Sequence, residues 1–290
     1  MKVLILYSGG KDSQACLIWA VKEYGLDNCE AVFCDTGWEN PITYEHIKTT
    51  CQQLGVKLVV IKSKKYDGLV DMSVKRKRFP STKARFCTVE LKSIPTIDYV
   101  LSQTEHLIVI EGIRAQESFS RSKMQSQCTY FKYYFEPVKI DKNGKEVFHT
   151  YRKKEIIKWC KIFNADKIRP IFDWSAQQTI DFIRENDQQP NPLYYMGFQR
   201  VGCFPCIMSR HQSTKLIIDN HQEQWQLLKD SEVKVGRTFF PPDYIPKYAM
   251  ANKRFPTAQD VEQYLKDRNA TIDMFEGEQP GCMSAYNLCE

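Results

Sequence analysis

The chain has 290 residues, 42% of them hydrophobic, and a formal net charge of +6. This length allows one large α/β domain or a domain with an appendage, and the apolar content suffices for a sizeable core. No segment approaches the ~18 consecutive apolar residues of a membrane span, and an apolar strand begins at Lys2 with no signal peptide before it. We therefore expect a cytoplasmic protein without membrane spans.

The first predicted element is a strand over Lys2–Tyr7, followed by the loop Ser8-Gly-Gly-Lys-Asp-Ser13. Its branched apolar residues are typical of a buried parallel strand. A helix is predicted next, with Ser13 as its N-cap. Open α/β sheets bind ligands where their strands end. The loop N–H groups, the positive end of the helix and Lys11 all favour a phosphate there.

Three further strands are predicted, over Glu30–Cys34, Lys57–Ile61 and Leu107–Ile110, with a helix over Pro41–Leu54 between the first two. Alternating strands and helices indicate a doubly wound, mostly parallel α/β sheet with helices on both faces. Asp35 follows the second strand directly. It is therefore expected to contact the ribose or adenine of a nucleotide.

Basic residues are concentrated in residues 62–92, where ten Lys or Arg stand against three Asp or Glu, a local balance of +7. The densest part, Lys75–Arg78, precedes Phe79-Pro80 and is predicted to be an exposed loop. Such a segment favours DNA, tRNA or a polyanionic nucleotide as partner. A solvated face without a partner is the alternative.

The sequence predicts two regions. Residues 1–210 form a nucleotide-binding domain with an insertion at about 126–170, which contains a hairpin turning at Asp141–Gly144 and a helix. Residues 211–290 form a mainly helical C-terminal segment. Its predicted helices are Gln212–Lys229 and Gln259–Arg268, and a capping box at Ser175–Gln178 predicts an earlier one over Thr179–Asn186.

The loop Ser8–Ser13 resembles the signature of the PP-loop ATP pyrophosphatases, the adenine nucleotide α-hydrolase group. It is not the common P-loop, because Asp12 follows the lysine and the first glycine of that motif is missing. Later segments, in the family order, resemble the motifs of phosphoadenosine phosphosulfate (PAPS) reductases over residues 1–210. These segments are Phe33–Gly37, Arg85–Lys92 with Pro95, Gly112–Arg114 with Glu117, Ser118 and Arg121, and Asn191–Tyr194 with Gly197, Arg200 and Gly202–Cys206.

This resemblance implies an adenine nucleotide α-hydrolase-like fold whose loop holds the β,γ-pyrophosphate of ATP, usually with Mg²⁺. It implies catalytic roles for Lys11, Asp12 and Arg114, and a homodimer or a complex with a partner. The nucleotide-binding residues that it implies are Ser8, Gly9, Gly10, Lys11, Asp12, Ser13, Asp35, Thr36, Gly37, Gly112, Arg114 and Arg121.

Two of the eleven cysteines, Cys203 and Cys206, have the spacing that lets two thiolates reach one metal. In the related reductases this pair joins two adjacent cysteines around a [4Fe–4S] cluster, whereas here Thr88 follows Cys87. The resemblance therefore implies three ligands and leaves the fourth open. A redox-active or unligated Cys203/Cys206 pair is the alternative to a metal.

Cys282 is the first candidate for the fourth ligand, because it has no other evident role. Cys289 is the second candidate and Cys128 the third. We expect an iron–sulfur cluster, with zinc as the alternative, since thiolates suit both. The predicted ligands are Cys87, Cys203, Cys206 and Cys282.

Three functions fit these motifs. An ATP pyrophosphatase would cleave ATP to AMP and pyrophosphate to activate an acceptor in sulfur transfer or nucleic acid modification, and the intact loop favours it. A reductase releasing sulfite from PAPS or its 3′-dephospho relative needs a cysteine nucleophile. That family carries it in a C-terminal Glu-Cys-Gly-Leu/Ile-His, whereas this chain ends Asn287-Leu-Cys289-Glu290. A non-catalytic nucleotide-binding partner protein is the third possibility.

Overall fold

A computed structural model describes residues 1–267. Its strands are β1 (Lys2–Leu6), β2 (Cys29–Cys34), β3 (Lys57–Ile61), β4 (Leu107–Glu111), β5 (Gln127–Thr129), β6 (Lys139–Ile140), β7 (Glu146–Val147) and β8 (Ala165–Ile168). Its α-helices are α1 (Lys11–Tyr24), α2 (Pro41–Leu54), α3 (Leu69–Lys75), α4 (Phe86–Thr88), α5 (Ile94–Leu101), α6 (Phe119–Ser122), α7 (Lys132–Phe135), α8 (Lys153–Trp159), α9 (Ala176–Glu185), α10 (His211–Asn220), α11 (Gln222–Val235) and α12 (Ala258–Asp267).

Within residues 1–267, six strands form one sheet in the order β3-β2-β1-β4-β8-β5. All neighbouring strands run parallel except β5, which is antiparallel to β8. The predicted doubly wound, mostly parallel sheet is confirmed. The direction of winding reverses between β1 and β4, which is where such sheets bind ligands at the carboxyl ends of the strands.

Helices cover both faces of the sheet because alternate residues of β1 point to opposite sides. Val3 and Ile5 pack in one buried cluster with residues of α1, α2 and α9. Leu4 and Leu6 pack in a second cluster with residues of α5 and α8. β1 is therefore buried on both sides, and the loop that follows it has a rigid support.

The predicted insertion contains its hairpin, since β6 and β7 pair across the turn at Asp141–Gly144. It also supplies β5 and β8 to the main sheet, which the sequence pattern does not predict. Residues Ala165-Asp-Lys-Ile168 carry two charges, unlike an ordinary buried parallel strand. The buried Lys167 is tolerated because its Nζ lies 3.2 Å from Oε1 of the buried Glu111.

The C-terminal helices pack against the rest of the chain through a third cluster, in which Ile217, Leu228 and Val261 join Met72 of α3. The predicted helix over Gln212–Lys229 is wrong. The structure has two helices there, because His221 has non-helical backbone angles (φ −133°, ψ 60°). The division into 1–210 and 211–290 stays a prediction.

Candidate functional site

The loop between β1 and α1 is stabilised by Ser13. The helix begins at Lys11 with Gly10 as the N-cap, so the prediction that Ser13 caps it is wrong. The extended backbone of Gly10 (φ −88°, ψ 154°) ends the loop, and Ser13 lies inside the first turn. Its Oγ donates to Gly10 O at 3.0 Å and accepts from Ser8 N at 3.2 Å. Ser13 thus holds both ends of the loop.

Asp12 brings two cations together at the start of α1. Its Oδ2 lies 2.8 Å from Lys11 Nζ, and its Oδ1 accepts from Arg114 Nε at 2.6 Å. The three side chains are only 8–16% exposed. Two cations on one carboxylate leave a positive balance at a helix N-terminus, which favours an anion such as phosphate.

Gly112 allows the end of β4 to lie directly against this helix. A Cβ at Gly112 would lie 2.5 Å from Ser13 N and 2.7 Å from the carbonyl carbon of Asp12. Real Cβ atoms essentially never approach other atoms that closely. The glycine therefore sets the spacing that lets Arg114, two residues later, reach Asp12.

Glu117 orders the segment that carries the two predicted arginines. Its Oε2 accepts from Arg114 N at 2.9 Å, and its carboxylate forms an ion pair with Arg121. Both arginine side chains are buried, at 7–8% exposure. Arg121 therefore supports the segment through Glu117, whereas Arg114 contacts the loop itself.

Asp35, Thr36 and Gly37 lie at the carboxyl end of β2, beside the same edge of the sheet. Asp35 accepts from Tyr44 Oη at 2.6 Å and from Gly37 N at 2.8 Å, and its Oδ2 lies 2.8 Å from Lys62 Nζ. Burial raises the pKa of Asp35, but the hydrogen bonds from Lys62 and Tyr44 outweigh burial and hold that pKa below its usual value. Asp35 is therefore a carboxylate at neutral pH.

Glu39 supports this second loop, a role that sequence reasoning missed. Its carboxylate accepts from Thr36 Oγ1 at 2.6 Å and from Thr36 N at 3.2 Å. The hydroxyl of Thr36 is therefore hydrogen-bonded within the protein, to the Glu39 carboxylate. The only sequence signal for Glu39 was its position four residues after Asp35.

Asn191 and Tyr194 reach the first loop from a late segment of the chain. Asn191 Nδ2 donates to Gly9 O at 3.1 Å, and Tyr194 Oη accepts from Lys11 N at 3.1 Å. Burial, and then the charge of Asp12, raise the pKa of Tyr194, so the phenol keeps its proton at neutral pH. The motif Asn191–Tyr194 is recognisable in the sequence, but the contacts of its residues with the first loop are not.

Gly9 accommodates this packing through its backbone. Its φ of +76° is in the left-handed region, and a Cβ there would lie 2.8 Å from Thr43 Cγ2 of α2. Thr43 Oγ1 in turn lies 3.2 Å from Asn191 Nδ2. The first loop is therefore held between α2 and the late segment.

The predicted metal ligands are only partly gathered. Cys87 and Cys203 pack against the same core cluster, and Cys206 follows three residues after Cys203. Among residues 1–267, however, no three His, Cys, Asp or Glu side chains form a group that could hold a metal. Cys282 and Cys289 lie outside the described residues, and Cys128 lies in the edge strand β5. The described residues do not complete the site, so the iron–sulfur cluster stays a prediction.

A comparison with protein families covers most of this chain. Residues 2–209 match the family model described as the phosphoadenosine phosphosulfate reductase domain. The chain belongs to this family. The PAPS reductase family resemblance drawn from the motifs is thereby confirmed, and with it a PP-loop, nucleotide-binding family.

Relatives of this PAPS reductase family member include proteins of phage and archaea. An uncharacterized 37.8 kDa protein of Escherichia phage 186 is 26% identical over 315 residues, covering 90% of this chain and 84% of that protein. An uncharacterized protein of Methanocaldococcus jannaschii is 30% identical over 200 residues, covering 69% of this chain. The chain spans only 40% of that archaeal protein's length.

Solved structures that this chain is similar to are more distant in sequence. The PAPS reductase from Candida auris, in its phosphate complex, is 17% identical with a TM-score of 0.43, covering 71% of this chain and 83% of its own. The Candida glabrata FMN adenylyltransferase with FAD and pyrophosphate is 15% identical with a TM-score of 0.41, covering 70% of this chain and 55% of its own.

Within residues 1–267, no helix is both long and apolar enough to cross a bilayer.

Proposed function

We propose that the protein is an ATP pyrophosphatase that activates an acceptor for sulfur transfer or nucleic acid modification. An acceptor oxygen would attack the α-phosphorus of ATP, forming an adenylated acceptor and releasing pyrophosphate. The observation that carries this proposal is the pair of cations, Lys11 and Arg114, oriented by Asp12 at the N-terminus of α1.

The proposed chemistry depends on positioning and charge stabilisation. Lys11 and the N–H groups of the loop would bind the leaving pyrophosphate, where negative charge develops as the bond breaks. Arg114 would bind the α-phosphate. It follows β4, and its Nε donates to Oδ1 of Asp12, whereas Lys11 contacts Oδ2. Both cations are held before the nucleotide arrives, so little reorganisation accompanies the reaction.

Mg²⁺ is expected to enter with ATP as part of the substrate. Asp12 and Asp35 supply carboxylate oxygens, the ligand type that Mg²⁺ prefers, so the residues present fit this ion. When bound, Mg²⁺ neutralises charge on the phosphates. The residues themselves orient the nucleotide and keep the cations in place.

A sulfonucleotide reductase is the second candidate, favoured by the description of the matching family model. It would use the same cations for the phosphates and sulfate of PAPS. Its nucleophile would be Cys289, which lies outside the described residues. The two functions therefore differ in the nucleotide that binds.

Calorimetric titration under anaerobic conditions distinguishes them. A non-hydrolysable ATP analogue with Mg²⁺ is expected to bind tightly and PAPS weakly. The reverse order would overturn the pyrophosphatase proposal and support the reductase. Basal release of pyrophosphate from ATP, with water as acceptor, separates an enzyme from a non-catalytic binding protein.

A cysteine-ligated metal is also proposed, and no step of the reaction is assigned to it. Anaerobically purified protein is expected to contain iron and inorganic sulfide, and the double variant Cys203→Ser/Cys206→Ser is expected to lose both because two thiolate ligands are removed. Chemical analysis of iron, sulfide and zinc is the measurement. Cys160→Ser, in a partly buried position at the end of α8, is the control that should keep the metal.

Zinc without sulfide in the wild-type protein would support the alternative ion. Absence of any metal from anaerobic wild-type protein would contradict the proposed centre. The Cys203/Cys206 pair would then be assigned to redox chemistry or to packing.

A further inference from the structure

We propose that the loop between α3 and α4 binds the phosphate backbone of a nucleic acid. This loop, residues 76–85, is called the basic loop below, and its binding groups are Lys77, Arg78 and Lys83. The inference rests on the proposed function, since it assigns the class of macromolecule from which the acceptor comes.

Half of the ten cations in residues 62–92 are paired with carboxylates. In the described part of the chain, five cations of this segment lie within 4.0 Å of a carboxylate. A cation that is paired with a carboxylate contributes little net field to attract a polyanion. The pairs are Lys62 with Asp35, Lys64 with Asp98, Lys65 with Glu90, Lys75 with Asp71, and Arg76 with Glu90.

Three cations of the basic loop differ in this respect from Arg76, the first residue of that loop. Lys77, Arg78 and Lys83 are exposed, and none of them forms an ion pair with a carboxylate of residues 1–267. They are close in sequence and flank the buried pair Phe79-Pro80. Three uncompensated cations on one loop are the type of surface that phosphate backbones bind.

The basic loop is anchored, so the cations are presented on an ordered surface. The Phe79 ring is buried with its centroid 5.3 Å from that of Phe239. Ser81 and Ala84 exchange two backbone hydrogen bonds, at 3.2 and 3.1 Å. The Arg78 guanidinium lies 5.2 Å from the centroid of the Phe86 ring, a cation–π contact. Because this geometry exists before binding, less conformational entropy is lost on association.

Helix α3, which directly precedes the basic loop, begins beside the residues that follow β2. Leu69 N, at the first residue of α3, donates to Thr36 O at 2.9 Å. Lys62, at the start of the same segment, contacts Asp35. The predicted nucleotide residues after β2 and the basic loop are therefore joined through one short helix.

Fluorescence anisotropy with short oligonucleotides of one sequence, as single-stranded DNA, single-stranded RNA and duplexes of each, tests the inference. The variant Lys77→Ala/Arg78→Ala/Lys83→Ala removes the three uncompensated charges. The variant Lys57→Ala/Lys64→Ala/Lys75→Ala is the matched control, because it removes three exposed lysines that are paired with Glu30, Asp98 and Asp71.

The basic-loop variant is expected to bind about 10-fold or more weakly, and its slope of log affinity against log salt should fall by roughly 2 to 3. The control is expected to change binding by less than about threefold, although it loses the same net charge. The nucleic acid that binds wild type most tightly identifies the DNA or RNA source of the phosphate backbone.

Equal losses in the two variants would overturn the inference, because net charge alone would then explain binding. Failure of wild type to bind any of the oligonucleotides would also overturn it. Titration of the ATP analogue on the same preparations tests the proposed function separately. The basic-loop variant should keep wild-type affinity for the analogue, since its substituted residues lie outside the nucleotide site.

Discussion

The Lys11→Ala variant is expected to release pyrophosphate from ATP about 100-fold or more slowly than wild type, because one preorganised donor to developing charge contributes roughly that factor. The Lys11 ammonium lies at the N-terminus of α1 and is 15% exposed, so solvent screens it less than a surface lysine. Its loss also leaves Asp12 paired only with Arg114, which lowers the positive balance of the site. Basal pyrophosphate release and binding of the ATP analogue are the two measurements.

Lys22→Ala is the control for this variant. Lys22 lies in the last turn of the same helix and its Nζ contacts Asn186, at the end away from the loop. The control is expected to keep wild-type activity. If Lys11→Ala also kept it, the assignment of the loop as the catalytic phosphate site would be wrong.

Gly112→Ala is expected to destabilise the protein by about 1–3 kcal/mol, the usual cost of overpacking. The added methyl group would meet backbone atoms of Asp12 and Ser13, which cannot move away by a change of rotamer. β4 or α1 must then shift, and the contact between Asp12 and Arg114 should lengthen. We expect a lower unfolding temperature and weaker binding of the ATP analogue, measured by thermal denaturation and calorimetry.

Gly202→Ala is the matched control, because a Cβ at Gly202 would meet no atom of the described residues within 4 Å. Its stability is expected to stay within about 0.5 kcal/mol of wild type. Gly112→Ala with unchanged stability and unchanged affinity would contradict the close approach of β4 to α1.

The elements that sequence predicts best here are those with a local signal. Asn40-Pro41 at the start of α2 and Gly55 after its end mark that helix by their chemistry, and the structure has the predicted bounds. β3 likewise has its predicted bounds, Lys57–Ile61. Runs of apolar residues identify the central strands, because such residues are typical of a sheet that is covered on both faces.

The elements that sequence misses depend on contacts between distant residues. β8 carries Lys167 in a buried strand, and only the partner Glu111, on β4, makes this acceptable. A continuous helical spacing of apolar residues also does not distinguish one long helix from two consecutive helices. The break at His221 is not predicted for that reason.

In the candidate site, too, the motifs are recognisable from the sequence, whereas the contacts between them require the fold. The loop Ser8–Ser13 and the segment from Gly112 to Arg114 are recognisable as motifs, and the sheet topology places them side by side. The pairing of Lys11 and Arg114 on one carboxylate requires the fold, since Asp12 and Arg114 are separated by 102 residues. Which cations of residues 62–92 are neutralised by carboxylates also depends on tertiary contacts, and composition alone cannot separate them.

The contacts of Asn191 and Tyr194 with the first loop bear on when that loop becomes ordered during synthesis. The loop is translated well before these two residues, and domains generally fold as units. Its Lys11 N–H, however, donates to the hydroxyl of Tyr194, which is translated 183 positions later. A nascent chain that ends before this tyrosine can form β1 and α1 but lacks the groups that hold the loop between them. The loop therefore reaches its supported conformation only after Tyr194 has been translated, although its signature lies at Ser8–Ser13.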